Sequence, residues 1–291
     1  MDIVHPRCAG LDVSKRDVKV CVRLHLRGRV KATTTVTTWG SVTSQILALR
    51  DHLIAEKVTL VVMEATGDFW KPFYYLLEEG PFEIMLVNPR HVKNLPRRKT
   101  DVSDAAWLAQ LGAHGLVRGS FVPPERIRKL RDLTRTRTTI VRERAREIQR
   151  LEKHLEDAGI KLSSVATDLH GVSGRAMLDA LVAGERDPNV LANMAKQRLR
   201  SKIPEALTGR FSEHHAFLVR VQLDLIDQRT HIIDELTTRI EEEMIPFRAA
   251  RDLMITIPGI STKVADVIIA ETGADMSRFP TAGHLASWAG T

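Results

Sequence analysis

Four acidic residues, scattered over ninety positions, have the types and surroundings of a metal-dependent catalytic set. Asp12 stands in Gly-Leu-Asp-Val-Ser-Lys, Glu64 in Val-Val-Met-Glu-Ala-Thr-Gly, and Asp101 and Asp104 in Lys-Thr-Asp-Val-Ser-Asp-Ala-Ala. Carboxylates gathered in one pocket repel one another unless cations neutralise them, and hard oxygen ligands suit Mg²⁺ or Mn²⁺. Two such ions about 3.5–4 Å apart can clamp the attacking and leaving oxygens of a phosphodiester, so the chemistry implied is phosphoryl transfer. Taken singly, Asp12 reads equally as a strand-end turn residue, Asp101 as a helix cap and Asp104 as a favourable first-turn charge. Glu64 has no such reading: an acid directly after an apolar run and before Ala-Thr-Gly needs something to bind.

The elements that must position these acids are those of an α/β domain. Cys8–Val13, Asp17–Leu26 and Val30–Thr38 read as three antiparallel strands, the last two joined by a turn at Arg27-Gly28. A helix is expected over Ser41–Glu56, capped by Ser41 or Thr43, with Ile46, Leu49 and Leu53 inward. Val58–Met63 is an unbroken apolar run suited to a buried parallel strand, Phe82–Val87 another, and Phe69–Glu79 and Asp101–His114 are helical. The order βββαβαβα is that of the RNase H-like fold. There the first and fourth strands are neighbours, so Asp12 and Glu64 meet at one edge, and a spacing of three places Asp101 and Asp104 on one helical face.

Beyond residue 120 the character changes. Glu125–Arg150 holds ten Lys or Arg against four acids on one long helix, whose apolar positions Leu130, Leu133, Ile140, Ile148, Leu151 and Leu155 are interrupted by Arg137 and Arg144. A second long helix spans Ser212–Met244, with Leu218, Val221, Leu225, Gln228 and Ile232 in heptad steps, and the two can pair as a coiled coil within or between chains. Leu162–Gly209, punctuated by glycines and prolines, reads as short helices. Ile257-Pro258-Gly259-Ile260 is a tight turn before an apolar helix at Lys263–Thr272, resembling a helix-hairpin-helix element. Domains are therefore expected at 1–120, 121–250 and 251–291.

A net charge of +7 and a pI near 9.6 favour a polyanionic partner. The candidates for phosphate contact are Arg97, Arg98 and Lys99, which lead into Asp101, and Arg135, Arg137, Arg142, Arg144 and Arg146, which lack acids at i+4. Threonines 134, 136, 138 and 139 are further donors. The four tryptophans read as core or interface anchors. Two cysteines exclude a disulfide framework and a cysteine-rich zinc site. No apolar run approaches the ~20 residues of a membrane span, and no secretory signal precedes Gly10, which points to the cytoplasm.

Four segments, Gly10–Lys15, Met63–Gly67, Val87–Leu111 and Ile257–Gly290, together resemble the IS110 family of DEDD transposases, the bridge-RNA-guided recombinases of insertion sequences. The resemblance implies a RuvC-like N-terminal domain with a two-metal Asp12, Glu64, Asp101, Asp104 site, a helical stalk used in homo-oligomerisation as a dimer or tetramer, and a small helical C-terminal transposase domain. It further implies donor and target DNA and a structured guide RNA as partners. Members similar to this chain carry a nucleophilic serine in a glycine-rich segment beyond the Leu-Ala-Ser-Trp-Ala-Gly motif. That position falls beyond Thr291, and Ser287 does not replace it, so the expectation is metal and nucleic-acid binding without strand exchange. Two other readings remain: a RuvC-like nuclease or resolvase using water, and a non-catalytic nucleic-acid-binding remnant.

Overall fold

The computed structural model describes residues 2–25, 31–93, 103–165, 169, 171–195 and 203–290, with the backbone alone at His91 and Lys93. The chain divides into two compact units, Met1–Val122 and Pro123–Thr291.

The first unit runs β1 (Arg7–Val13), β2 (Asp17–Leu24), β3 (Thr33–Gly40), α1 (Thr43–Ala55), β4 (Leu60–Glu64), α2 (Trp70–Leu77), β5 (Glu83–Val87), α3 (Pro89–Lys93) and α4 (Asp104–Ala113). The five strands form one sheet in the order β3-β2-β1-β4-β5, antiparallel from β3 to β1 and parallel from β1 to β5. The first and fourth strands are thus neighbours, as the acids require. The Arg27-Gly28 turn lies outside the described residues.

Side chains alternate across the strands. Ala9, Leu11 and Val13 of β1, with Val61 and Met63 of β4, pack under Ile46, Leu49 and Leu53 of α1 and Phe73 and Leu77 of α2. Cys8, Leu60 and Val62 face the other way, under Trp107, Leu108 and Leu111 of α4. A Cβ on Gly10 would overlap the Ala105 carbonyl oxygen and the Ala109 nitrogen, and one on Gly112 would stand 2.6 Å from Val62 Cγ2. Two missing side chains therefore let α4 lie directly on the sheet.

Two expectations need correction. The residue capping α1 is Val42, without a side-chain bond, because the Ser41 hydroxyl donates instead to the Lys15 carbonyl oxygen at 3.1 Å. Helix α4 begins at Asp104 rather than Asp101: Ser103, extended at ψ 148°, is its cap and accepts from Ala106 N at 3.3 Å. Asp101 itself lies outside the described residues.

The second unit is helical: α5 (Glu125–Asp157), α6 (Leu162–Val165), α7 (Val172–Val182), α8 (Pro188–Asn193), α9 (Ile203–Ala206), α10 (Glu213–Glu243), α11 (Arg248–Ile255), α12 (Thr262–Thr272) and α13 (Ala282–Ala289). Helices α5 and α10 run antiparallel along their length. The buried stripe of α10 is Val219, Leu223, Ile226, Ile233 and Ile240, one residue out of step with the heptad read from the sequence. Its missing rungs are Thr230 and Thr237, half-buried positions that an apolar pattern search passes over. At these rungs the Arg144 Nη1 donates to Thr230 Oγ1 at 3.3 Å and the Arg137 Nε donates to Thr237 Oγ1 at 2.9 Å. Each threonine gives its own hydrogen to a carbonyl four residues back, at 2.8 Å to Ile226 and 2.6 Å to Ile233, which leaves a lone pair for the guanidinium. Apolar clusters lie on either side of these rungs. One joins Leu151 and Leu155 to Val219, Leu223 and the short helices; the other joins Leu130, Ile240 and Met244 to Ile269 and Ala270 of α12. Among the described residues no helix is long and apolar enough to cross a membrane.

Candidate metal centre and nucleic-acid interface

The parallel register pairs Leu11 with Met63, so Asp12 and Glu64 are the next residues on adjacent strands, both at the carboxyl edge of the sheet. Alternation puts Asp12 on the face of Cys8 and Gly10, and Glu64 on the face of Leu60 and Val62, which is the α4 face in both cases. Asp104 is the first residue of α4, next to the Ala105 that rests on Gly10. Three of the four expected acids are therefore delivered to one edge and one face by three elements. Asp101, like Arg97, Arg98 and Lys99, lies outside the described residues.

Side-chain placement is less complete than backbone placement. Among the described residues no three His, Cys, Asp or Glu side chains stand close enough to hold one metal ion. The donor set still has the right chemistry, hard carboxylates, and Cys8 and Cys21 are buried in the apolar layers. Burial pushes the Cys8 thiol up to about 12, a value that keeps it protonated and inert. Gly10 is legible in the sequence only as part of a motif; the independent signal for its role is a glycine inside a strand, which marks close approach of another backbone.

The arginines of α5 separate into two groups. Arg137 and Arg144 are the rungs already described. Arg135 forms a two-pronged pair with Glu271, Nε to Oε1 at 2.7 Å and Nη2 to Oε2 at 2.8 Å, while Arg131 donates to the last carbonyls of α12, Ala270 at 3.1 Å and Glu271 at 2.8 Å. These guanidiniums hold α12 on α5, a use that the sequence does not reveal because the partner is more than a hundred residues away. Arg142 and Arg146 are exposed, and neither has an ion pair among the described residues. The expected threonine donors are also committed: Thr134, Thr138 and Thr139 give their hydrogens to the carbonyls of Arg131, Thr134 and Arg135. They can accept a hydrogen bond but not donate one to a phosphate.

Buried charge concentrates elsewhere in this unit. Glu147, 3% exposed, accepts from Arg150 Nη1 at 2.7 Å and pairs with Arg229 Nη2 at 3.2 Å. Asp266 of α12, 6% exposed, meets Arg251 Nη1 at 3.3 Å, and Arg251 also donates to Glu241 at 2.9 Å. Desolvation holds the Asp266 carboxyl above the usual range despite the pull of Arg251.

Comparison with known families gives two matches. The model of the IS110-type DEDD transposases, described as a transposase, matches residues 9–160, and that of the IS116/IS110/IS902 transposase family matches residues 251–291. Among curated proteins nothing matches.

Proposed function

Starting from the fact that the chain belongs to the IS110 family of DEDD transposases, we propose that it is a DNA recombinase whose metal centre is held by Asp12, Glu64 and Asp104, with Asp101 as the fourth ligand. The observation that carries this reading is the delivery of Asp12, Glu64 and Asp104 to one edge and one face of the five-stranded sheet by β1, β4 and α4. The strand order β3-β2-β1-β4-β5 supports an RNase H-like, RuvC-like assignment for that unit. Mg²⁺ or Mn²⁺, as two ions, would supply Lewis-acid stabilisation of a phosphodiester undergoing in-line displacement. The protein's part is to hold the carboxylates at fixed spacing and to bring the phosphate to them. Gly10 serves the first task by letting α4 sit against β1.

The remaining elements fit the same reading. Arg142 and Arg146, on the exposed side of α5, would contact phosphate, joined by Arg97, Arg98 and Lys99, which precede Asp101 in the sequence. The antiparallel pair α5–α10 would act as a coiled-coil stalk, and Leu218, Val221, Leu225 and Ile232, the second stripe of α10, would serve contact between copies of the chain. Donor and target DNA, and a structured guide RNA, are the partners, and a cytoplasmic location follows from such work.

The test is Mn²⁺ titration by calorimetry together with Mg²⁺-dependent nicking of supercoiled plasmid. Asp12→Ala, Glu64→Ala and Asp104→Ala should each remove nicking and weaken Mn²⁺ binding while leaving plasmid binding in chelator unchanged. Nicking that survives all three substitutions, or Mn²⁺ affinity that ignores them, would refute the assignment.

A further inference from the structure

The carboxyl edge of the sheet carries a second group of side chains that the metal reading does not use. After Glu64 the chain turns at Gly67, whose φ of +51° is left-handed, and enters α2 with Phe69 as its capping residue. The pair Asp68–Lys71, at 2.9 Å, ties the first turn. Trp70, Tyr74 and Tyr75 then form a trio of edge-on rings: centroids lie 5.7 Å apart for Trp70–Tyr74, 6.0 Å for Trp70–Tyr75 and 6.2 Å for Tyr74–Tyr75. Trp70 and Tyr74 rest on the core under α1 and α2, which makes the group rigid, while Tyr75 is only half-buried and Phe69 is 43% exposed.

We propose that Phe69, the residue before the Trp70–Tyr74–Tyr75 trio, is a stacking platform for an unpaired nucleobase of DNA held at the acidic edge. This deepens the reading of Asp12, Glu64 and Asp104 as a DNA-processing centre and rests on it. The argument is one of chemistry and position. Strand β4 ends at Glu64 and α2 begins at Trp70, so Phe69 stands in the short connection that leaves the carboxyl end of β4, the same end that carries the acid. The one acid among these side chains, Asp68, is neutralised by Lys71, so the platform does not repel a polyanion. A ring face binds any base without reading its identity. In an intact duplex both faces of each base are already covered, so the platform selects unpaired or unstacked nucleotides.

The experiment is fluorescence anisotropy with a labelled single-stranded oligodeoxythymidylate, the same length of duplex, and a single strand carrying abasic sites, all in chelator so that no metal is involved. Phe69→Ala and Phe69→Leu should weaken single-strand binding roughly tenfold, in the range of one stacking interaction, and leave duplex binding within about twofold. Phe69→Trp should restore it, and the abasic strand should bind the parent as weakly as the intact strand binds Phe69→Ala. Circular dichroism verifies that each variant is folded. Single-strand affinity unaffected by Phe69→Ala, equal loss on the abasic strand, or full affinity in Phe69→Leu would overturn the proposal; the last outcome would mark an apolar protein-docking surface instead. Failure of the metal assignment would show separately, as Mg²⁺-dependent nicking indifferent to Asp104→Ala.

Discussion

Ala105 of α4 lies over Gly10 of β1 so closely that a single methyl group at Gly10 would overlap the Ala105 carbonyl oxygen. That close approach sets the height of α4 above the sheet and, with it, the position of Asp104 relative to Asp12. Gly10→Ala should therefore destabilise the first unit by about 1–3 kcal/mol, the usual range for forcing a group into a filled space. The urea midpoint measures it. Gly283→Ala is the control: its Cβ meets only Thr281 Oγ1 at an ordinary 3.7 Å, inside α13, where alanine is the better helix former by about 1 kcal/mol.

The two arginine–threonine rungs are expected to set register more than strength. A charged group in a half-buried seam loses hydration that its partner repays only in part. Replacing both members of a rung, as in Arg137→Leu with Thr237→Leu, should leave the second unit as stable or more stable, whereas Arg137→Leu alone should cost about 1 kcal/mol. A double-mutant cycle in urea reads the difference. Marked destabilisation by the paired replacement would show that the rung is a net source of stability.

Salt dependence separates the arginines of α5. Arg142→Ala with Arg146→Ala should reduce the slope of log affinity against log salt for duplex DNA by about 2, one for each phosphate that is no longer neutralised. Arg144→Ala should move the urea midpoint and leave the slope as it was, because its guanidinium is engaged with Thr230. Equal slopes for the parent and the Arg142, Arg146 double variant would exclude those two side chains from the interface.

Asp266 makes stability depend on pH in an unusual direction. Its folded pKa is raised above the ordinary carboxylate value, so the folded state binds more protons across the window between the two. Stability contributed by the protonated form is present below that window and falls as pH rises through it. The groups facing Asp266 are Arg251 and Glu241, with Arg137 and Lys263 on the same cavity of about 220 Å³. Asp266→Asn should remove this component, and urea midpoints taken between about pH 4 and pH 7 should show a smaller decline than in the parent. An unchanged decline would assign the effect to another group.

Much of the first unit is legible in the residues. Alternation in Asp17–Leu24 and the apolar run before Glu64 are properties of single strands, so they are visible without knowing the neighbours. Spacing alone turns Ile46, Leu49 and Leu53 inward, and all three are fully buried. The start of α4 is ambiguous in sequence because Asp101, Ser103 and Asp104 are all acceptable near a helix N-terminus, and only backbone geometry chooses Ser103.

Residue type and spacing act over a few positions, and for that reason they suffice to say which side chains could carry chemistry and which segments become strands or helices. Which of two adjacent stripes on α10 faces α5 is a different matter: both are apolar, and only in the packed structure does the stripe that carries Thr230 and Thr237 meet Arg144 and Arg137. The same holds for Arg131 and Arg135, which hold α12 rather than face solvent through pairings made across more than a hundred residues of chain. Local pattern has no access to such distances; packing does.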